Sequence, residues 1–112
     1  MLDKSIPQDK TFWVSLELHR EIERIMNLDP ELVRSRGLEG VNRVLPNVPS
    51  SDGRERVETW RNLLINRDWE RTRHYLTSED EESVEMRNLT VFSEVMAQER
   101  RQEILDEISR ST

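Results

Sequence analysis

The chain has 112 residues, enough for one domain with a modest hydrophobic core, and its charged residues (36%) outnumber its hydrophobic ones (34%). The formal net charge of −6 disfavours binding to phosphate backbones, and the absence of cysteine excludes disulfides, thiolate metal sites and cysteine nucleophiles. Because no stretch has the apolar length of a signal peptide or a membrane span, we expect a cytoplasmic protein.

The first predicted element is an amphipathic helix over residues 11–26, after a loose lead-in at residues 1–8. Its apolar residues recur at steps of three and four, which is the period of one helix face. They are Val14, Leu18, Ile22, Ile25 and Met26. Phe12, Trp13 and Leu16 fall outside this stripe, so the start of the helix is apolar on more than one side.

A second helix is predicted to follow Asp29 and to end near Leu45. The Asp29 side chain can accept hydrogen bonds from free N–H groups of the first turn, and a proline at position 30 suits the start of a helix. Gly37 and Gly40 lower the helix propensity of this segment by about 1 kcal/mol each relative to alanine. They also permit a close helix crossing.

The clearest break in the chain is at residues 46–53, where two prolines, a glycine and small polar residues do not sustain a helix. We interpret it as an exposed linker between two helical halves of one domain, since neither half is large enough for its own core. Four further helices are predicted at 54–66, 68–76, about 78–88 and 97–109. Ser78 and Glu81 have the spacing of a capping box, and residues 89–92 are expected in a turn or short extended piece. The predicted fold is an all-α bundle of about five to six helices.

Catalytic and metal sites lack essential partners in this sequence. His19 and His74 both lie in charged helical stretches, and we expect them at the surface. His19 with Glu23 supplies two metal ligands at most, whereas a zinc site needs three or four. Glycine-rich phosphate loops are absent. No catalytic, cofactor-binding or metal-binding residue is therefore predicted, and a small enzyme acting through either histidine is the less favoured alternative.

Arginines form two local basic stretches, at residues 34–43 and 54–67. Both are interleaved with glutamates, which indicates ion-paired faces. Nucleic acid is therefore a disfavoured partner.

Binding to another protein is the function that the residues support best. Trp is among the residue types most enriched at interface hot spots, so Phe12, Trp13 and Leu16 are the first candidates for a partner-binding surface, followed by Trp69 and Phe92. The alternative is that these side chains cover the ends of the bundle. The thin core and the aromatic residues also predict a homodimer.

Short motifs over residues 16–105, most of the chain, occur in a characteristic order. They are Leu18-His19, Asp29-Pro30, Trp60, Leu63-Leu64, Leu76-Thr77-Ser78, Arg87, Phe92 and Glu99-Arg100. This order resembles a group of small bacterial antitoxin-like or regulator-associated helical domains. Two features depart from the group: the chain has no room for the N-terminal helix-turn-helix that members often carry, and the usual Pro-Phe-Ala-Gly-Val-Leu turn has lost its proline and glycine at residues 91–96.

The resemblance implies an antitoxin-like inhibitor or regulator of a toxin–antitoxin locus. Its partner would be a toxin encoded by a neighbouring gene, for example a nucleotidyltransferase-like toxin. Two alternatives are a DNA-binding transcriptional autoregulator that uses the second or third helix, and a phage or plasmid accessory adaptor. The departures from the group weigh most against the DNA-binding role.

Overall fold

The computed structural model describes the backbone of residues 2–111 and the side chains of residues 10–110. Within this part, the chain forms six α-helices and no strand, which confirms the all-α prediction. The helices are α1 (Leu2–Leu28), α2 (Pro30–Val44), α3 (Ser51–Ile65), α4 (Trp69–Thr77), α5 (Glu81–Asn88) and α6 (Gln98–Ser111).

Helix α1 begins at Leu2 and therefore includes residues that were expected to form a loose lead-in. The prediction treated Pro7 as a boundary, since proline removes one backbone hydrogen bond from a helix. Pro7 is the sixth residue of α1, beyond the first turn, so the helix continues past it with one backbone hydrogen bond fewer. Helix α1 is 27 residues long. Neither it nor any other helix in the described part of the chain is apolar enough over a sufficient length to cross a membrane.

The start of α2 follows the predicted capping signal. The Asp29 Oδ1 atom accepts a hydrogen bond from the backbone N–H of Leu32 at 3.2 Å, and Pro30 occupies the first helical position. Asp68 caps α4 in the same way, with its Oδ1 atom 3.2 Å from the backbone nitrogen of Arg71. Both helix starts are thus fixed by a single side chain that is recognisable in the sequence.

We expect Asp29→Ala to lower the free energy of unfolding by about 1 kcal/mol, because an N–H group in the first turn of α2 loses its acceptor. Urea unfolding followed by circular dichroism measures the change. Asp29→Asn keeps a side-chain oxygen at the same position and should lose clearly less. Equal losses in the two variants would contradict the capping role.

The segment at residues 46–53 is a linker only in part. A 3-10 turn occupies Leu45–Asn47, and α3 begins at Ser51, three residues before the predicted start. The Ser50 hydroxyl caps α3 by accepting a hydrogen bond from the backbone N–H of Gly53 at 3.0 Å. Val48 is 7% exposed, so the connection also carries one apolar side chain into the core.

The capping box predicted at Ser78 and Glu81 is wrong. Helix α5 begins at Glu81, and the residue at its N-cap is Asp80. The Ser78 hydroxyl lies 3.0 Å from Nδ1 of His74 instead. Residues 78–80 connect α4 to α5. The first of them, Ser78, is the C-terminal cap residue of α4 and not the N-terminal cap residue of α5.

The core is centred on Trp60, a fully buried residue of α3. Its ring contacts Phe92 edge-to-face at a centroid distance of 4.9 Å and Tyr75 at 6.0 Å. The indole Nε1–H donates to the backbone oxygen of Met86 at 3.0 Å. The Met86 carbonyl, in the last turn of α5, also accepts from the backbone N–H of Leu89 at 3.1 Å, so the indole is its second donor.

Two arginines donate to carbonyl groups near helix ends, and the Leu64 carbonyl also accepts from the backbone N–H of Arg67 at 3.2 Å. Arg34 Nε donates to the backbone oxygen of Leu64 at the end of α3, at 2.8 Å. Arg87 Nη1 donates to the backbone oxygen of Tyr75 near the end of α4, also at 2.8 Å. A positive group is favoured at a helix C-terminus because the free carbonyl groups carry partial negative charge.

The irregular segment after α5 packs directly on α2. A Cβ atom built on Gly40 would lie 1.9 Å from the backbone oxygen of Val91. One built on Gly37 would lie 2.6 Å from Leu64 Cδ1, on the neighbouring helix α3. The predicted close helix crossing therefore occurs at Gly37, whereas Gly40 accommodates the backbone of a turn.

Candidate functional site

A pocket of about 450 Å³ opens between α1, the turn after α5, and α6. Its described lining comprises three cations, three hydroxyl groups, two apolar side chains and one imidazole: Lys10, Arg87, Arg101, Thr11, Ser15, Thr90, Val14, Leu18 and His19. No carboxylate belongs to this described lining, although the chain has 23 acidic residues and 17 basic ones. A positively charged pocket in an acidic chain is a candidate site for an anion.

Arg87 is the most deeply buried cation of the pocket, at 3% exposure. Its Nη1 is bonded to the Tyr75 carbonyl, but its Nη2 is buried without a hydrogen-bond partner among the described residues. Burial lowers the pKa of Arg87, while the charges of Asp80 and Glu79 act in the opposite direction. The guanidinium still carries its charge at neutral pH. A buried donor without an acceptor costs about 1–3 kcal/mol.

His19 forms part of the pocket wall and makes two hydrogen bonds. Its Nδ1 lies 2.7 Å from the backbone oxygen of Ser15, and its Nε2 lies 2.9 Å from Thr90 Oγ1. Because a carbonyl oxygen only accepts, Nδ1 carries the proton, and the Thr90 hydroxyl donates to Nε2 of the neutral ring. Thr90 Oγ1 also accepts from the backbone N–H of Phe92 at 3.2 Å. These bonds tie the turn after α5 to α1.

The pKa of His19 is lowered to about 4, chiefly because burial disfavours the charged ring. The hydrogen bond to the Ser15 carbonyl opposes this effect, and the positive charges of Arg87 and Arg101 add to it. The prediction that His19 lies at the surface is wrong: the side chain is 4% exposed. His19 lies three residues before Ile22 and therefore on the buried side of α1. The prediction failed because it relied on the charged residues next to His19 in sequence.

Two of the predicted partner-binding residues belong to the core. Leu16 and Phe92 are both 0% exposed, so no partner reaches them while the fold is intact. Leu16 lies outside the main apolar stripe, but α1 packs against α2, α4, α5 and α6, and a residue on either side of that stripe is therefore also covered. Phe92 is buried because its turn folds onto the glycines of α2.

The other three predicted residues keep some contact with solvent. Trp69 is partly buried and packs against the core. Phe12 is partly buried, and its ring meets that of Trp13 edge-to-face at 4.8 Å. Trp13 itself is 44% exposed. Of the predicted residues, Trp13 is therefore the one that a partner reaches most directly.

Trp13 begins an exposed line of residues along α1, which we call the α1 stripe. Its members follow one another at steps of three and four: Trp13, Glu17, Arg20, Arg24 and Leu28. At 1.5 Å per residue the stripe is about 22 Å long. Leu28 is 74% exposed, and Glu17 pairs with Arg20 at 2.6 Å. Among the described residues the third exposed large hydrophobic side chain is Ile65 at 41%, at the end of α3.

The two basic stretches are ion-paired, as predicted. Arginines at positions 36, 43, 56, 61 and 67 each form a salt bridge with a glutamate. Arg34 and Arg54 are bonded to backbone carbonyls instead. Cations held in this way are less available for phosphate contacts, so neither stretch favours the DNA-binding alternative.

His74 lies at the surface, as predicted, with Nε2 3.7 Å from an oxygen of Asp80. The two residues considered as metal ligands, His19 and Glu23, make other contacts. Glu23 pairs with Arg73 at 3.0 Å, and His19 is bonded to the Ser15 carbonyl. Within the described residues, no three histidine or carboxylate side chains come together as a metal site would need.

Sequence reasoning missed the pocket because its cations come from positions 10, 87 and 101, on three separate segments. Arg87 alone carried a signal, as one of the motif positions of the antitoxin-like resemblance. Comparison of the chain with family models, curated proteins and solved structures finds no match. The resemblance therefore stays a prediction that rests on short motifs.

Proposed function

We propose that this chain is a non-enzymatic protein-binding module and that the α1 stripe is its contact surface. The observation that carries the proposal is the 44% exposure of Trp13, whereas Trp60 is fully buried and Trp69 packs against the core. An exposed indole leaves apolar area in water at a cost of about 25 cal/mol per Å². Contact with a partner removes that cost, which is one reason why tryptophan is frequent at interface hot spots.

The composition of the α1 stripe supports the same proposal. Trp13 and Leu28 supply apolar contacts at its two ends, and Arg20 and Arg24 lie between them. Arginine, like tryptophan, is enriched at hot spots, because its planar guanidinium forms paired hydrogen bonds and stacks on aromatic rings. Each arginine is held by a glutamate on α1, which fixes its position before a partner arrives.

We propose a basic protein as the partner, in line with the toxin that the family resemblance implies. The net charge of −6 accelerates the long-range association of the whole chain with a positively charged protein, whereas the stripe itself carries two arginines and one glutamate and contributes apolar contacts. Buried contacts to Trp13 and Leu28 would then set the dissociation rate. In this mechanism the chain acts stoichiometrically and covers the active-site surface of its partner.

Trp13→Arg and Leu28→Arg are each expected to weaken binding to the product of the adjacent toxin-like gene by at least about 30-fold, the equivalent of a 2 kcal/mol hot spot. Isothermal titration calorimetry with the purified proteins measures the affinity. Ile65→Arg is the matched control, because its side chain has nearly the exposure of Trp13 but lies off the stripe. It should change the affinity by less than about threefold, as expected for a site outside the contact.

Two outcomes would contradict the proposal. One is the absence of binding at tens of micromolar together with a monomeric mass in sedimentation. The other is an equal loss of affinity in the Ile65→Arg control. A homodimer that dissociates in Trp13→Arg but not in Ile65→Arg would support the contact surface and assign it to a second copy of the chain.

A further inference from the structure

We propose that the pocket between α1, the turn after α5, and α6 binds a phosphate-bearing small molecule. This site is separate from the α1 stripe. Helix α1 lines the pocket with residues 10, 11, 14, 15, 18 and 19, whereas the stripe starts at Trp13 and runs along another face. Ligand binding in the pocket and protein binding at the α1 stripe can therefore be tested independently.

The charge of the pocket favours a dianion. Lys10, Arg87 and Arg101 bring three positive charges to its described lining, which contains no carboxylate. The charges of Asp80 and Glu79 act on Arg87 from outside that lining. A phosphate monoester carries between one and a half and two negative charges at neutral pH. A carboxylate carries one negative charge, so it neutralises less of the positive charge of Lys10, Arg87 and Arg101.

Arg87 supplies a donor that has no acceptor among the described residues. Its Nη1 is bonded to the Tyr75 carbonyl, which fixes the guanidinium plane, and its Nη2 is buried without a described partner. Guanidinium groups recognise phosphate oxygens through such oriented N–H groups. A ligand oxygen at Nη2 would complete the hydrogen bonding of this side chain.

His19 shapes the pocket without adding charge to it. Its Nδ1–H donates to the Ser15 carbonyl, and its Nε2 accepts from the Thr90 hydroxyl, so both ring nitrogens are engaged within the protein. The ring is neutral at pH 7, since its pKa is about 4. Its contribution is to hold the turn after α5 in place, with Thr90 at the pocket wall.

The size and the apolar lining indicate a ligand larger than inorganic phosphate. A pocket of about 450 Å³ falls in the range of sites for small organic molecules. Val14 and Leu18 line it beside the cations. We therefore assign it an organic phosphate with an apolar part.

The proposal is tested by calorimetric titration of the full chain with phenyl phosphate, benzoate and phenol in a low-salt buffer without phosphate. We expect phenyl phosphate to bind at least ten times more tightly than benzoate, and phenol to show no binding at millimolar concentration. Changes in the backbone amide NMR signals of Ser15 and Thr90 on addition of phenyl phosphate would locate the site.

Arg101→Gln should weaken phenyl phosphate binding at least tenfold. This arginine is partly exposed on α6, so its loss should leave the fold intact, whereas Arg87 also serves the end of α4. Arg110→Gln removes an exposed arginine from the same helix outside the pocket and should change the affinity less than twofold.

Equal weakening by Arg101→Gln and Arg110→Gln would overturn the proposed site, as would the absence of binding at 5 mM phenyl phosphate. Benzoate binding as tightly as phenyl phosphate would overturn the assignment to phosphate. None of these outcomes depends on Trp13.

Discussion

Gly40→Ala is expected to lower the free energy of unfolding by about 3 kcal/mol, the upper part of the usual range for overpacking a core. The added Cβ would lie 1.9 Å from the backbone oxygen of Val91 and 2.8 Å from its carbonyl carbon. A backbone atom cannot rotate out of the way, so the whole segment after α5 has to move. That segment carries Val91 and Phe92, both fully buried in the core.

The same substitution raises the helix propensity of α2 by about 1 kcal/mol, because alanine is the better helix former. The clash outweighs this gain, since relieving it shifts a close-packed segment by about an ångström. Urea unfolding followed by Trp fluorescence measures the balance, with Trp60 as the core reporter.

Gly37→Ala is the matched control on the same helix. Its added Cβ would meet Leu64 Cδ1 at 2.6 Å and the Phe92 ring at 3.0 Å, and the first of these is the flexible end of a side chain. Gly37→Ala should therefore destabilise less than Gly40→Ala. A Gly40→Ala variant as stable as the wild type would contradict the packing of the Val91 turn on α2.

The helices themselves were predictable because their signals are local. Apolar spacing indicated each helix, and Asp29 and Asp68 marked two helix starts that the structure confirms. The bounds that failed depend on less direct signals. Pro7 lies inside α1 and does not end a helix. Ser78 is the C-terminal cap residue of α4, although its spacing to Glu81 indicated the start of α5.

Burial was less predictable, because it depends on residues far apart in sequence. Nothing in the sequence around Phe92 distinguishes a core residue from an exposed anchor, and its ring packs against Gly37, 55 positions earlier in the chain. His19 lies among charged residues in sequence but is covered by a turn that contains Thr90. The candidate pocket has the same origin, since residues from α1, α5 and α6 meet only in three dimensions.

Lowering the pH from 7 to 4 is expected to reduce the free energy of unfolding by about 3 kcal/mol through His19 alone. Its pKa is about 4 in the folded chain and 6.5 in an unperturbed histidine. Between these values the unfolded chain binds a proton that the folded chain does not. The contribution of His19 is therefore complete above pH 6.5, is lost as the pH falls toward 4, and changes no further below that.

Protonation of carboxylates also lowers the free energy of unfolding in acid. A variant without His19 is therefore needed to separate the histidine contribution. The pKa of Glu21 is lowered, first by its hydrogen bond to Arg24 and also by Arg100, so its stabilising effect is lost at low pH as well. His19→Gln does not titrate at this position and retains a polar side chain. The stability difference between wild type and His19→Gln should shift by about 3 kcal/mol between pH 7 and 4, in the direction that disfavours the wild type.

Parallel stability curves for the two proteins would contradict a buried neutral His19. An NMR titration of the imidazole carbon-bound protons gives the folded pKa directly and separates this effect from the carboxylates. The same titration bears on the pocket, because bound phosphate would favour the charged ring and raise the pKa of His19. A neutral His19 next to Arg87 and Arg101 adds no third charge to theirs, and its titration would report an anion bound between them.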